Sequence, residues 1–131
     1  MKLFLLLILV VTSLYSLEYR EIVSAEFNFD QYVSQGKNPE ENAQLMQSVM
    51  TAVEKEMGNY MIALQGKIVN ETEDIVVNNH KKWKVYREDT ARLMARFRPY
   101  GMAKDEAYVR NLIKLTIERV KQLKEIDELQ K

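Results

Sequence analysis

Apolar positions recur every three or four residues along three long stretches of the chain, a spacing that predicts three amphipathic helices. In the first, Met46, Val49, Met50, Val53, Met57, Tyr60, Met61 and Leu64 form one buried face. Its start is marked by Asn38 as N-cap, Pro39 at the first helical position, and Glu40 and Glu41 against the positive end of the dipole. Gly58 costs this helix about 1 kcal/mol relative to Ala, so it marks a close helix crossing or a locally weak turn. The second stretch starts near Asn70 or Thr72 and carries Val76, Trp83, Tyr86, Thr90, Leu93 and Phe97 on one stripe. Glu88 and Arg92 lie on its other side with the spacing of an i,i+4 pair. Pro99 ends it, because a residue before proline is pushed out of helical geometry. The third turns Val109, Leu112, Ile113, Thr116, Val120, Leu123 and Ile126 inward, opposite a solvated face of Lys114, Glu118, Lys121, Lys124, Glu125 and Glu128. The predicted spans are about 39–66, 71–98 and 103–130. Short connections between long amphipathic helices favour antiparallel neighbours, so the expectation is an all-α, up-down-up bundle spanning residues 38–131.

The amino end follows a different pattern. Lys2 precedes an unbroken apolar run from Leu3 to Val11, closed by Thr12-Ser13-Leu14-Tyr15-Ser16. This is the layout of a secretory signal peptide over residues 1–16, with cleavage after Ser16 the best fit. A spanning helix needs about 20 apolar residues, and Glu18, Arg20 and Glu21 follow too soon; an uncleaved anchor is the weaker alternative. The expected location is therefore exported, periplasmic or secreted. Residues 17–37 contain Ile22, Val23, Phe27, Phe29, Tyr32 and Val33 without a clean period. They are read as a short helix packed on the bundle, or as a loosely ordered arm.

Composition narrows the partners. At 47% hydrophobic and 29% charged residues the chain has the make-up of a folded domain. It has no cysteine, so neither a lipidated amino-terminal Cys nor a disulfide is available. Lys plus Arg and Asp plus Glu both number 19, which gives no support to nucleic acid as a partner.

Candidate chemistry is sparse. His80 is the only histidine, and Ser34 and Ser48 have no evident base in a recognisable motif. A bundle metal site would need a second histidine and inward carboxylates. No cofactor is expected, and an enzyme is disfavoured. Glu71, Glu73 and Asp74 suit a helix start better than acid–base work. Asn70-Glu71-Thr72 also matches a glycosylation acceptor, a short pattern with a high chance rate. The Met46, Met50, Met57 and Met61 seam reads as core, with an adaptable binding surface as the alternative. Trp83 reads as buried structure or as an interface anchor. Arg87, four residues on, can lie against the indole or pair with a carboxylate of a neighbouring helix.

Two short segments carry a family resemblance. The first is His80, Trp83, Tyr86, Arg87 and Glu88, which is similar to a Gln-x-x-Trp-x-x-Tyr-Arg-Asp motif. The second is Leu115, Thr116, Arg119 and Leu123, which is similar to Leu-Thr-x-x-Arg-x-x-x-Leu. With Tyr60 and Leu64 on the preceding helix, residues 57–123 resemble the amino-terminal domain of LprI-type lysozyme inhibitors, a family of exported bacterial helical domains. Family members usually carry two cysteines at the positions of Ala91 and Asn111. Loss of both together fits a cysteine-free variant, and the resemblance implies that Ala91 and Asn111 lie near each other on adjacent helices. Met57 departs from the family's asparagine, and His80 and Glu88 are milder changes.

The resemblance implies a non-enzymatic protein that binds a partner in the cell envelope, with lysozyme as the named target of the type protein. Glu71, Glu73 and Asp74 are then the candidate partner contact on electrostatic grounds. Tyr60, Leu64, Trp83, Tyr86, Arg87, Glu88, Thr116, Arg119 and Leu123 are family-motif positions read as structural. The competing expectation is a structural or assembly protein of the envelope that self-associates or holds a client. An enclosed Met seam would favour a self-contained domain, and an open apolar groove would favour helix or client binding.

Overall fold

A computed structural model of the chain describes residues 17–67 and 73–129. The expected leader at residues 1–16 with its expected cleavage point after Ser16, together with Asn70, Glu71, Thr72 and the side chains of Glu73 and Asp74, lies outside that description. Among the described residues the secondary structure is entirely helical: α1 (Tyr19–Ile22), α2 (Phe29–Val33), α3 (Pro39–Gly66), α4 (Glu73–Arg96) and α5 (Lys104–Glu128). No helix among the described residues is long and apolar enough to cross a membrane. The chain divides into two compact units, Met1–Ala52 and Val53–Lys131, so the division falls within α3.

In the first unit, the segment read as one short helix or an arm forms two short helices. Asn28 caps α2 by accepting from the Gln31 N–H at 3.0 Å, and Ile22 and Val33 are buried. The start of α3 follows its sequence signals. Asn38 Oδ1 accepts from the Glu41 N–H at 2.9 Å, while the Glu41 carboxylate reaches back to the Lys37 N–H at 2.7 Å. This reciprocal arrangement is a one-residue-shifted form of the capping box. Gly36 sits tightly before it, since a Cβ there would lie 2.0 Å from Asn42 Oδ1.

The Met seam is core in both units. Met46, Val49 and Met50 are buried in the first, and Val53, Met57, Met61 and Leu64 in the second. The alternative of a Met-rich binding surface is therefore set aside, because these thioethers have no exposed face to offer. Gly58 marks no close crossing, since a Cβ added there would meet nothing within 4 Å.

In the second unit, α4 and α5 form an antiparallel hairpin. Pairings of Asn79 with Arg119, Arg87 with Thr116 and Ala91 with Asn111 rise along one helix as they fall along the other. The connection is a tight turn in which the Met102 N–H bonds to the Pro99 carbonyl at 3.2 Å, with Gly101 at φ +89°. A φ in that range favours glycine, so the turn depends on Gly101. Arg98 closes the end of α4 by donating to the carbonyls of Ala95 at 3.1 Å and Met102 at 2.8 Å.

The inward face of α4 differs from the expected stripe. Ala91 and Ala95 are fully or almost fully buried and Arg87 is buried, while Tyr86, Leu93 and Phe97 are exposed. Within the hairpin α5 meets α4 along its small residues, because alanines let two helix backbones approach, and this leaves the large apolar residues at the rim. The expected Glu88–Arg92 pair is also replaced. Arg92 instead approaches Asp89 at 3.7 Å and lies over the Tyr108 ring at 5.8 Å. On α5, Ile113, Thr116, Val120 and Leu123 are buried as expected, but Ile126 is exposed, and Leu115 and Arg119 are buried although neither was among the inward positions.

Candidate functional site

The most chemically distinctive place in the second unit is built around Trp83. Arg87 stands four residues further along α4, on the same helix face, and its guanidinium carbon lies 5.1 Å from the indole centroid. From α5, Arg119 brings a second guanidinium to 5.3 Å from the same ring. His80, one turn before Trp83, stacks on it with centroids 5.6 Å apart and planes 16° from parallel. The indole is thus shared by two cations and an imidazole.

The two arginines are satisfied differently. Arg87, 8% exposed, donates through Nη1 to Glu54 Oε1 at 2.8 Å and to Thr116 Oγ1 at 3.2 Å. Thr116 is fully buried and donates onward to the Leu112 carbonyl at 2.6 Å, so its hydroxyl links α4 to the backbone of α5. Both readings of Arg87, against the indole and paired with a carboxylate of another helix, are realised at once. Arg119, 5% exposed, has no carboxylate partner among the described residues. It donates to Gln122 Oε1 at 2.6 Å and to Asn79 Oδ1 at 2.8 Å, and its Nε, like that of Arg87, is buried without a partner.

Burial and this charge imbalance act together on His80. Burial first, and then Arg119, Lys84 and Arg87, lower its pKa from 6.5 to about 4. At neutral pH the ring is uncharged and adds no third cation beside the indole. Burial also lowers the pKa of Arg119, but a guanidinium stays protonated and keeps its charge.

The cluster gathers Trp83, Arg87, Thr116 and Arg119 from the two motif segments, and the motif positions Leu64 and Leu123 are core. Tyr86 and Glu88 lie beside it in sequence but point to solvent, and Tyr60 is half-buried. Glu71 lies outside the described residues, and of Glu73 and Asp74 only the helical backbone is described. Glu54, Asn79 and Gln122 complete the cluster and were not among the expected positions. The expected neighbours Ala91 and Asn111 are in contact, with Asn111 Nδ2 donating to the Ala91 carbonyl at 3.3 Å.

Chemically the arrangement is a clasp. A neutral imidazole, two guanidiniums and one paired carboxylate supply neither an activated nucleophile nor a base aimed at an open position. Among the described residues no group of three or more His, Asp or Glu is placed to hold a metal ion. The clasp instead fixes the angular setting of α4, and with it which side chains the helix presents outward. Compared with protein-family models, with curated proteins and with solved structures, the chain matches none.

Proposed function

We propose that the chain is an exported, non-enzymatic binding module of the cell envelope that engages another protein through the open edge of α4. The observation that carries this reading is the exposure of Tyr86, Leu93 and Phe97, at 55%, 59% and 81%, along one edge of α4 and, for Phe97, at the residue that follows it. Single exposed apolar residues are ordinary, but three large ones at spacings of seven and four make a continuous strip. In this reading the long helices form an up-down-up antiparallel bundle. The Glu54–Arg87 pair and the Lys67–Asp127 pair support that order, tying the last part of α3 to α4 and the residue after it to α5.

Lysozyme is the first target to test, because the resemblance to LprI-type inhibitors names it. The gathering of Trp83, Arg87, Thr116 and Arg119 and the contact of Ala91 with Asn111 support the resemblance. The test is a turbidity assay in which the purified chain is titrated against c-type and g-type lysozymes on peptidoglycan. An inhibitor slows clearing at micromolar protein, and Leu93→Asp with Phe97→Asp relieves the inhibition if the α4 edge is the contact. Relief by Glu71→Gln with Glu73→Gln and Asp74→Asn would assign the contact to the acidic residues before and at the start of α4 instead. No slowing by a sample folded by circular dichroism removes lysozyme as the target. The second reading, an envelope assembly protein that self-associates or holds a client, is favoured by the same open strip and does not need lysozyme.

A further inference from the structure

The open edge of α4 has a seven-residue repeat. Val76, Trp83, Thr90 and Phe97 recur at intervals of seven, and Asn79, Tyr86 and Leu93 recur three residues after the first three of them. These are the a and d positions of a helix-pairing seam. Within the chain Asn79 and Trp83 are taken up by the clasp and one flank is used, with Arg87 turned inward and Met94 half-buried, which leaves Tyr86, Leu93 and Phe97 as the open part of the seam. The other flank, Lys82, Asp89 and Arg96, is exposed.

We propose that a second copy of this chain covers the strip, with the two α4 helices antiparallel about a two-fold axis near Arg92. This rests on the reading of the α4 edge as a protein-binding surface and names its partner. A parallel pair would set each open flank against the flank that the chain already uses, whereas an antiparallel pair sets the open flank against itself. With the axis near Arg92, Phe97 meets Tyr86 of the second copy, Thr90 meets its Leu93, and Asp89 meets its Arg96. The symmetry repeats each contact, as a closed dimer requires. The charges are available for this. Among the described residues Arg96 makes no ion pair, and Asp89 has only the exposed 3.7 Å approach of Arg92. A single helix pair with three large apolar residues per copy is smaller than a standard interface, so a dissociation constant of about 10 µM is expected.

Sedimentation velocity of the purified chain over about 1 to 100 µM tests this. A monomer–dimer equilibrium is expected, and Phe97→Glu should weaken it at least about tenfold. Asp89→Lys and Arg96→Glu should each weaken it about fivefold, because each sets like charges opposite one another. An equimolar mixture of those two variants should pair as tightly as the original chain, since each supplies the charge that the other has lost. A chain that stays monomeric throughout, or a mixture no tighter than its components, overturns the proposal. In either of those cases a Leu93→Cys variant separates the two levels. A thiol labelled as fast as a free one in dilute solution leaves the strip open to a different protein, so only self-pairing fails. A protected thiol at that dilution means that the chain covers the strip itself, and then both readings fail.

Discussion

The two sides of α4 contrast in a way that inverts the usual order of a helix. The side turned into the molecule carries small and charged residues, Ala91, Ala95 and Arg87, while the rim carries Tyr86, Leu93 and Phe97. Transfer of large apolar side chains from water stabilises by about 1.5 to 3 kcal/mol each, so a helix that exposes these residues, and Ile75 and Val85 as well, forgoes a substantial driving force within the monomer. The inward side compensates through close backbone approach and a polar clasp whose members are mostly hydrogen-bonded. The comparison teaches that one side of α4 is committed to the fold and the other is left for something else.

The sharpest test of the committed side is Arg87→Ala. It removes the Glu54 and Thr116 hydrogen bonds and the indole contact together and should destabilise the chain by about 3 kcal/mol, read from denaturant unfolding. Arg119→Met should cost clearly less, because that guanidinium is buried without a carboxylate partner and an apolar isostere needs none. If the two substitutions cost the same, the distinction drawn between the arginines is wrong.

The next effect has the opposite sign. Ala91→Cys with Asn111→Cys should oxidise readily, since the side chain of Asn111 already reaches the Ala91 carbonyl, and the bridge closes a loop of 20 residues. The expected gain is about 2 kcal/mol in the oxidised over the reduced form. Failure to oxidise would break both the hairpin register and the implication drawn from the family resemblance.

His80 gives a pH signature of the same side. Its folded-state pKa of about 4 lies below the ordinary 6.5, so as pH falls the unfolded chain takes up the proton first. The contribution is fully present above about pH 6.5 and is lost as pH falls towards 4. For a partly solvated ring this amounts to about 1 kcal/mol, and His80→Gln should remove it from the stability–pH profile. The smallest effect belongs to the rim, where Leu93→Asp or Phe97→Asp should change monomer stability by no more than about 0.5 kcal/mol.

These two sides were not equally legible in the sequence. The α3 seam could be read because its Met, Val and Leu positions follow the helical period and Asn38-Pro39 marks its start. On α4 the large residues follow the helical period as well, but the expected inward face is wrong for Tyr86, Leu93 and Phe97. Which edge of a seam is covered depends on where α5 crosses, and that information sits in Ala91, Ala95 and Ala107, which carry little hydrophobic signal. The contacts of Arg87 were legible because Trp83 lies four residues away on the same helix. Glu54 and Asn79 were not, since they reach Arg87 and Arg119 across 33 and 40 residues of chain. Charge alone places a long cation in solvent, and only tertiary neighbours reverse that for Arg119.

The division of α4 into a closed and an open side can be measured in one comparison, because the chain has no cysteine of its own. Single Ala95→Cys and Phe97→Cys variants, only two residues apart, are reacted with a maleimide in dilute and in concentrated solution. The Phe97→Cys thiol should react at least about a hundredfold faster than the Ala95→Cys thiol when dilute, and should slow as concentration rises, while Ala95→Cys stays protected throughout. Equal rates at the two positions in dilute solution would contradict the account.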